Sequence, residues 1–434
     1  MGNIEPPVQS RSAAIVDLEQ RVGANNYAPI DVVVESGKAE WLVDVDGKRY
    51  VDMMSAYSAV SHGHAHPRLV AALTRQAQRV AISSRAFRSD VLGPFLEKLV
   101  AITGLDKALP SNGGVESVEA AVKAARRWGY RVKGIPAGQA NIVVAEGNFH
   151  GRTTTVVGFS SEAEYRADFG PFTPGFRHFA FGDIAALGEA VDANTCAVLI
   201  EPIQGEAGIR VPPPGFLRAV RALCDERGIL LILDEIQSGM GRTGRWFAHQ
   251  HEGILPDGLI LGKALGGGLL PVSCFVATNA VLDLFQPGSH GSTFGGNALA
   301  AAVGLEALQV IEDEGLVERS AVLGAHLLGR LRAVQSQLPA PLIREVRGLG
   351  LWAGVDLDPH WVRARAVVER MVERGVLSKE THDTVIRFAP PLVISREALD
   401  WSIDVFADVM REFAARALSS RSAATAERVS PEMR

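Results

Sequence analysis

Two ionisable residues that follow short apolar segments, Asp234 and Lys263, are the strongest candidates for chemistry in this sequence. Asp234 follows the apolar run 229–233, which is too short for a helix and is typical of a buried parallel strand. Lys263 follows a second apolar segment, 259–261, and precedes the three glycines at 266–268. Because open α/β sheets bind ligands at the carboxyl ends of their strands, we expect both side chains in one crevice.

A lysine amine and a carboxylate in one crevice are the groups that pyridoxal phosphate chemistry requires. The amine binds the cofactor covalently, and the carboxylate keeps the pyridine nitrogen protonated so that the ring accepts electrons from the substrate. Taken alone, Asp234-Glu235 is also compatible with a helix cap or a magnesium ligand of a nucleotide enzyme. A P-loop enzyme is disfavoured because the sequence lacks the Gly-x-x-x-x-Gly-Lys-[Ser/Thr] string.

Other predicted strands deliver polar residues to the same edge. The strands predicted over 142–145 and 197–200 each lead into a polar loop that contains glycine. A glycine-rich turn, 111–114, opens a helix predicted over 114–132, and its free N–H groups suit a phosphate. Such a convergence of charged groups favours a ligand site over a purely structural role.

The composition is that of an enzyme-sized chain without a charge bias. Its 434 residues are 47% hydrophobic, include 44 glycines and carry a net charge of -5. A chain of this length suits a large domain with a smaller companion. The charge balance favours neither nucleic acid nor an anionic membrane as a partner, so we expect small molecules and a second copy of the chain as partners.

The cysteines and histidines form no metal or disulfide pattern. Cys196, Cys224 and Cys274 lack paired spacing, which is typical of buried thiols in a reducing cytoplasm. The three histidines within 62–66 alternate in a loop with glycine and proline, where turn or capping roles are favoured over a metal site. No signal-like or membrane-spanning run is found. We therefore expect a cytoplasmic protein.

Alternating helical and apolar strand patterns predict an α/β fold with a large, mostly parallel sheet between helices. A small antiparallel meander is predicted before it, from strands over 32–34, 39–45 and 49–53. The predicted division is an N-terminal segment that forms part of a small domain (1–65), a large domain (66–320), a C-terminal small domain (321–417) and a disordered tail (418–434).

Seven strings in the sequence resemble one family, in that family's order. They are 57–60, 148–153, 201–208, 234–237, 262–265, 290–297 and 386–391. From about residue 27 to 393 the chain resembles the class III (ω-amino) aminotransferases of pyridoxal-enzyme fold type I, and most closely the members that use ornithine. The resemblance implies a small domain built from both termini.

The resemblance also implies how the cofactor is bound. Lys263 is implied as the covalent attachment point and proton carrier, and Asp234 as the partner of the pyridine nitrogen. The other implied contacts are Gln237 to the phenolic oxygen, Phe149 stacked on the ring, the N–H groups of Gly114 and Val115 to the phosphate, and Ser292 and Thr293 to the phosphate of the neighbouring subunit. The last pair implies a homodimer in which two chains build each site.

Substrate recognition is implied for Arg152, Glu206, Arg387, Tyr27 and Tyr57. Arg152 would take the distal carboxylate of either substrate. Arg387 would take the α-carboxylate of 2-oxoglutarate and be masked by Glu206 while ornithine is bound. The two tyrosines would flank the α-amino and carboxylate end of ornithine. The simpler alternatives are a surface ion pair and tyrosines at the rim of the core.

The implied reaction is a ping-pong transfer of the δ-amino group of ornithine to 2-oxoglutarate, giving glutamate 5-semialdehyde and glutamate. Other donors within the family are N-acetylornithine, lysine through its ε-amine, 4-aminobutyrate and other diamines. Tyr57 favours ornithine, because a free α-amino group needs a polar partner. A relative without cofactor is disfavoured, because Lys263 and Asp234 are both present.

Overall fold

The computed structural model describes residues 10–429, with side chains as far as Ser419. The strands within this part of the chain are numbered in chain order. They are β1 (Val34–Lys38), β2 (Trp41–Asp44), β3 (Arg49–Asp52), β4 (Lys107–Ser111), β5 (Asn141–Ala145), β6 (Phe176–Phe179), β7 (Thr195–Ile200), β8 (Leu230–Asp234), β9 (Gly258–Leu261), β10 (Ser273–Ala277), β11 (Ile343–Gly348), β12 (Ala353–Leu357), β13 (Val376–Leu377), β14 (Lys379–Thr381) and β15 (Val385–Phe388).

The largest sheet has seven strands in the order β4-β10-β9-β8-β7-β5-β6. Every pair from β9 to β6 is parallel, and β10 is antiparallel to both of its neighbours. The five central strands are buried along their whole length, as apolar strands covered on both faces must be. The prediction of an α/β fold with a mostly parallel sheet is confirmed.

Helices cover both faces of this sheet, and further helices pack against the smaller sheets. The α-helices are Arg11–Val22, Pro67–Ala77, Leu92–Thr103, Gly114–Arg131, Thr154–Gly158, Ala163–Arg166, Ile184–Ala190, Phe216–Arg227, Asn279–Leu282, Ala298–Asp313, Leu316–Gln337, Ala364–Glu373 and Arg396–Val429. Short 3₁₀ helices are Ala248–His251, Lys263–Gly266 and His382–Thr384. Gly114–Arg131 buries an apolar and small-residue stripe against β7, β9 and β10, so its N-terminus is held at the edge where the parallel strands end.

Two four-stranded sheets flank the large one. One has the order β1-β2-β3-β13 and pairs an N-terminal meander with a strand from residues 376–377. The other has the order β11-β12-β15-β14 and carries Arg387 on β15. Both ends of the chain therefore contribute to the smaller part of the fold, as the family resemblance implies.

Two segments differ from their predicted structure. The predicted strands 32–34 and 39–45 are replaced by β1 and β2, which are joined by a tight turn at Ala39 and Glu40. β1 is an edge strand with a polar, exposed sequence, so a search for apolar patterns does not find it. The last helix extends to Val429, past the start of the predicted disordered tail at 418. Its alanine, arginine and glutamate residues are strong helix formers that continue a helix already begun. Residues 430–434 lie outside the described part.

The histidines of 62–66 bond to three separate groups. His62 Nε2 contacts the Ala307 carbonyl at 2.9 Å, and His64 Nε2 contacts Asp52 at 2.8 Å. His66 Nε2 lies 3.0 Å from Glu314.

In residues 10–429 no helix is both long and apolar enough to cross a membrane.

Candidate active site

A cavity of ≈ 250 Å³ lies at the carboxyl edge of the central strands. Its walls come from the segments that follow β5, β7, β8 and β9 and from the start of Gly114–Arg131. The lining residues include Gly114, Val115, Phe149, His150, Glu201, Asp234, Gln237 and Lys263. The structure therefore brings together the predicted lysine, aspartate, glutamine, aromatic ring and helix N-terminus.

Lys263 stands directly after the end of β9, at the first position of a 3₁₀ helix. Its φ of 45° is in the left-handed region, which a lysine seldom adopts, and such strain is typical of functional sites. Burial lowers the pKa of its amine, and the nearby charges of Glu206 and Asp234 oppose that shift only in part. A neutral amine is the nucleophilic form, so this environment favours covalent attachment to a carbonyl carbon.

Asp234, the last residue of β8, forms a buried pair with His150. The His150 Nδ1 to Asp234 Oδ2 distance is 2.7 Å, and the other carboxylate oxygen accepts the N–H of Ile236 at 3.0 Å. Burial opposes a charge on His150, but the hydrogen bond and charge of Asp234 outweigh it and raise the pKa of the imidazole. The pair therefore fixes the orientation of the Asp234 carboxyl group. His150 lies within the string 148–153, but sequence reasoning assigned it no role.

A second buried carboxylate, Glu201, follows β7. It accepts the backbone N–H of Phe149 at 3.0 Å and that of Gly205 at 3.3 Å, which ties the two polar loops together. Burial raises the pKa of Glu201 to about 7, with Asp234 raising it further and His150 opposing. Sequence reasoning missed this residue as well. Its place directly after an apolar strand, like that of Asp234, is the signal that could have found it.

The residues of the cavity fit pyridoxal phosphate. The first N–H groups of Gly114–Arg131 have no partner within the helix and face the cavity, as a phosphate requires. The backbone at Gly205 lies close to the Gln237 side chain, because a Cβ on Gly205 would stand 2.1 Å from the Gln237 side-chain oxygen. Phe149 supplies a flat apolar wall, while Lys263 and Asp234 supply the amine and the anion.

An arginine–glutamate pair stands near Lys263. Arg387 on β15 is only 5% exposed, and its Nη1 lies 2.9 Å from Glu206 Oε1. The Tyr57 ring lies against the same guanidinium, 4.8 Å from ring centre to Cζ. The charges of both Arg387 and Glu206 act on the Lys263 amine. The structure thus joins three of the residues predicted to recognise substrate.

Arg152 is placed differently from Arg387. Its side chain is exposed, and within residues 10–419 no carboxylate forms an ion pair with it. Its guanidinium carbon lies 5.3 Å from the centre of the Phe149 ring and 3.6 Å from that of Tyr165. It is a cation held by aromatic rings beside the cavity. Tyr165 was not among the predicted site residues.

Tyr27, Ser292 and Thr293, the remaining predicted site residues, also lie outside the lining of the cavity. Tyr27 is 76% exposed, although it lies close enough to raise the pKa of Tyr57, a shift dominated by burial. Ser292 and Thr293 are exposed and line a surface cleft with Arg85. Their predicted role in a neighbouring subunit stays a prediction.

Comparison with known proteins gives the site its context. The family model "Aminotransferase class-III" matches residues 22–410. An ornithine aminotransferase from Bacillus subtilis is 52% identical over 93% of this chain and 98% of its own length. The structure of an ornithine aminotransferase from Toxoplasma gondii superposes with a TM-score of 0.92 at 40% identity, covering 95% of this chain and 96% of that one. An acetylornithine aminotransferase from Elizabethkingia anophelis gives a TM-score of 0.84 at 42% identity, covering 93% and 100%. The chain belongs to the class-III aminotransferases, and it is a pyridoxal phosphate-dependent enzyme that acts on small molecules.

Proposed function

We propose that this enzyme transfers the δ-amino group of L-ornithine to 2-oxoglutarate, giving glutamate 5-semialdehyde and glutamate. We further propose that it works in the cytoplasm as a homodimer with shared active sites. Relatives named ornithine aminotransferase that cover nearly the whole chain support the choice of donor.

One observation carries this proposal: the two arginines of the site differ in whether a carboxylate neutralises them. Glu206 pairs with Arg387 at 2.9 Å, whereas Arg152 lies over aromatic rings and has no ion pair with a carboxylate among the described side chains. Ornithine presents one carboxylate, at the end away from its δ-amine, so it needs one free cation. 2-Oxoglutarate presents two carboxylates and needs both. A removable mask on Arg387 lets one pocket serve both substrates.

Proton movement falls to Lys263. Bound pyridoxal phosphate supplies an electron-withdrawing ring that spreads the electron pair left when a proton leaves Cδ of the donor. The Lys263 amine, whose pKa burial lowers, would take this proton and deliver it to the cofactor. Asp234, held in orientation by His150, would supply the carboxylate that the ring nitrogen needs.

The second half of the cycle depends on the release of Arg387 by Glu206. When 2-oxoglutarate enters, Glu206 leaves Arg387, and the guanidinium binds the α-carboxylate with two parallel hydrogen bonds. Arg152 holds the distal carboxylate in both halves. The proton then travels in the reverse direction through Lys263, and glutamate leaves.

A single turnover tests the proposal. Purified enzyme is mixed with ornithine and no keto acid, the visible absorption band of the lysine-bound cofactor is followed, and o-aminobenzaldehyde traps any cyclised semialdehyde. Loss of the band with trapped product is the expected result. Loss of the band without trapped semialdehyde would overturn δ-transamination while leaving the aminotransferase assignment in place.

Parallel reactions with N-acetylornithine, lysine and 4-aminobutyrate define the donor. N-Acetylornithine is the main competitor, because a relative with that name aligns along nearly the full chain. We expect ornithine to react fastest. A faster reaction with N-acetylornithine would replace the proposed donor.

A further inference from the structure

The partner of Arg152 is an aromatic ring instead of a carboxylate. The guanidinium carbon stands 3.6 Å from the centre of the Tyr165 ring, the distance of direct stacking. A planar guanidinium gains electrostatic and dispersion energy over an aromatic face. The stacked cation keeps its full charge, because Tyr165 offers it a neutral ring and a neutral hydroxyl oxygen that accepts a hydrogen bond from Arg152. Tyr165 therefore orients Arg152 without neutralising it.

Tyr165 is itself held by the cofactor wall. Its ring meets the Phe149 ring edge-on, with centroids 6.1 Å apart and planes at 81°. It lies on the short helix Ala163–Arg166 and is half-buried, whereas its neighbours on that helix are exposed. Burial raises the pKa of the Tyr165 hydroxyl, while the charge of Arg152 and a hydrogen bond from it oppose this shift and the charge of Glu206 adds to it. The ring thus joins the distal cation to the aromatic wall of the cofactor cavity.

We propose that Tyr165 is a positioning residue that sets specificity for substrates with a distal carboxylate, by stacking on Arg152 and aiming its free donors into the pocket. This inference rests on the proposed function. It adds to that function the reason why an exposed arginine holds one orientation through both halves of the cycle.

The test separates stacking from the hydroxyl and from general structure. Tyr165→Leu removes the aromatic face, and Tyr165→Phe keeps the face but removes the hydroxyl. Phe169→Leu is the matched control, since Phe169 is an exposed aromatic residue of the same segment. Single-turnover kinetics of the holoenzyme are measured with ornithine, with glutamate, and with 1,4-diaminobutane, which carries the amine but no carboxylate.

We expect Tyr165→Leu to raise the substrate concentration for half-maximal rate about 5- to 20-fold for ornithine and glutamate, the range of one cation–π contact. The maximal rate should change little. Diaminobutane should react with unchanged kinetics, and Tyr165→Phe should retain most of the affinity. Phe169→Leu should match the wild type for every substrate.

Equal losses with ornithine and diaminobutane would overturn the inference, because they would indicate a general structural defect. Unchanged affinity for ornithine and glutamate in Tyr165→Leu would overturn it too. The glutamate reaction does not depend on ornithine as the donor. If the wild type rejects ornithine but Tyr165→Leu loses glutamate affinity, the proposed function fails and the role of Tyr165 stands.

Discussion

At the scale of single residues, the proposed function makes charge pairing the feature that decides which substrate the pocket accepts. Arg387 is nearly fully buried and paired with Glu206, whereas Arg152 is exposed and stacked. Separating the buried Arg387 from Glu206 without a replacement would leave its charge without a partner at a cost of several kcal/mol. Under the proposed function, the partner of Arg387 is Glu206 in one half-reaction and a substrate carboxylate in the other. Substrate exchange is therefore also an exchange of ion pairs.

Glu206→Ala should separate the two half-reactions. With the mask removed, Arg387 is free to bind an α-carboxylate, so we expect the specificity for glutamate to rise relative to ornithine by at least 10-fold. Single-turnover rates with each amino acid measure the ratio. Glu345→Ala is the control, since Glu345 is an exposed residue of β11 that pairs with a different arginine. Equal losses in both half-reactions would contradict the masking role.

Glu201→Gln should remove a pH dependence of stability. The folded pKa of Glu201 is raised from 4.5 to about 7, chiefly by burial, so the folded state holds a proton that the unfolded state loses. Its stabilising contribution is complete below pH 4.5 and is lost as the pH rises through 7. At 1.36 kcal/mol per pKa unit the loss is about 3 kcal/mol. The variant should gain about this much relative to wild type between pH 4.5 and 8.

Chemical unfolding of cofactor-free protein at a series of pH values checks this difference. Cofactor is removed because its charges would act on the same carboxylate. A difference between variant and wild type that does not change with pH would mean that Glu201 stays ionised in the folded protein.

At the scale of elements, apolar runs were enough to find buried central strands of the large sheet. The predicted strands 142–145 and 197–200 lie within β5 and β7, and the predicted helix 114–132 coincides with Gly114–Arg131 to within one residue. Buried strands can be recognised in a sequence because each of their residues must be apolar. The residues after β8 and β9 were found for the same reason, since a charge that ends an apolar run marks the edge of the sheet.

Local pattern does not reveal the turn that carries Tyr57. Ser55, Ala56, Tyr57 and Ser58 have φ values of 43°, 46°, 59° and 73°, which is left-handed backbone in four successive non-glycine residues. Each costs about 1–2 kcal/mol, so no local propensity selects this turn. It is held by contacts distant in sequence, among them Ser55 Oγ to the Ala389 carbonyl at 2.6 Å. Likewise, the His150–Asp234 pair joins segments 84 residues apart.

Arg242 is the centre of those distant contacts. It is fully buried and donates to the carbonyls of Leu351 and Pro390, at 2.8 and 2.6 Å, and to the hydroxyls of Ser55 and Ser61, at 3.3 and 3.0 Å. It thereby ties the left-handed turn to the chain that follows β15. The positions of Tyr57 and Arg387 are consequently coupled through one side chain.

Arg242→Met should destabilise the protein by about 3 kcal/mol or more, because two buried carbonyls lose their donor at roughly 1–3 kcal/mol each. Urea unfolding of the holoenzyme measures the change. Arg245→Met serves as the control, since Arg245 is an exposed arginine three residues away, and it should stay within about 0.5 kcal/mol of wild type. A loss no larger than that of the control would mean that water or other donors replace Arg242.

At the scale of the whole molecule, the site of one chain lacks two of its predicted residues. Ser292 and Thr293 lie in an exposed surface cleft and not in the cavity that holds Lys263. Ser292 Oγ accepts a hydrogen bond from Asn112 Nδ2 at 3.3 Å, so the segment stands near the glycine-rich turn without entering the cavity. A cleft of hydroxyls beside Arg85 suits a phosphate that another chain presents.

Hybrid dimers test this arrangement directly. One chain carries Lys263→Ala and the other carries Ser292→Ala with Thr293→Ala, each with its own affinity tag for purification of the hybrid. If each site combines Lys263 of one chain with the hydroxyls of its partner, one site in the hybrid has every residue intact and the other has none. The hybrid should then show half of the wild-type activity at limiting cofactor, although each parent dimer is inactive or binds cofactor weakly. If the hydroxyls serve their own chain, both sites stay defective, and the hybrid should bind cofactor as weakly as the double variant.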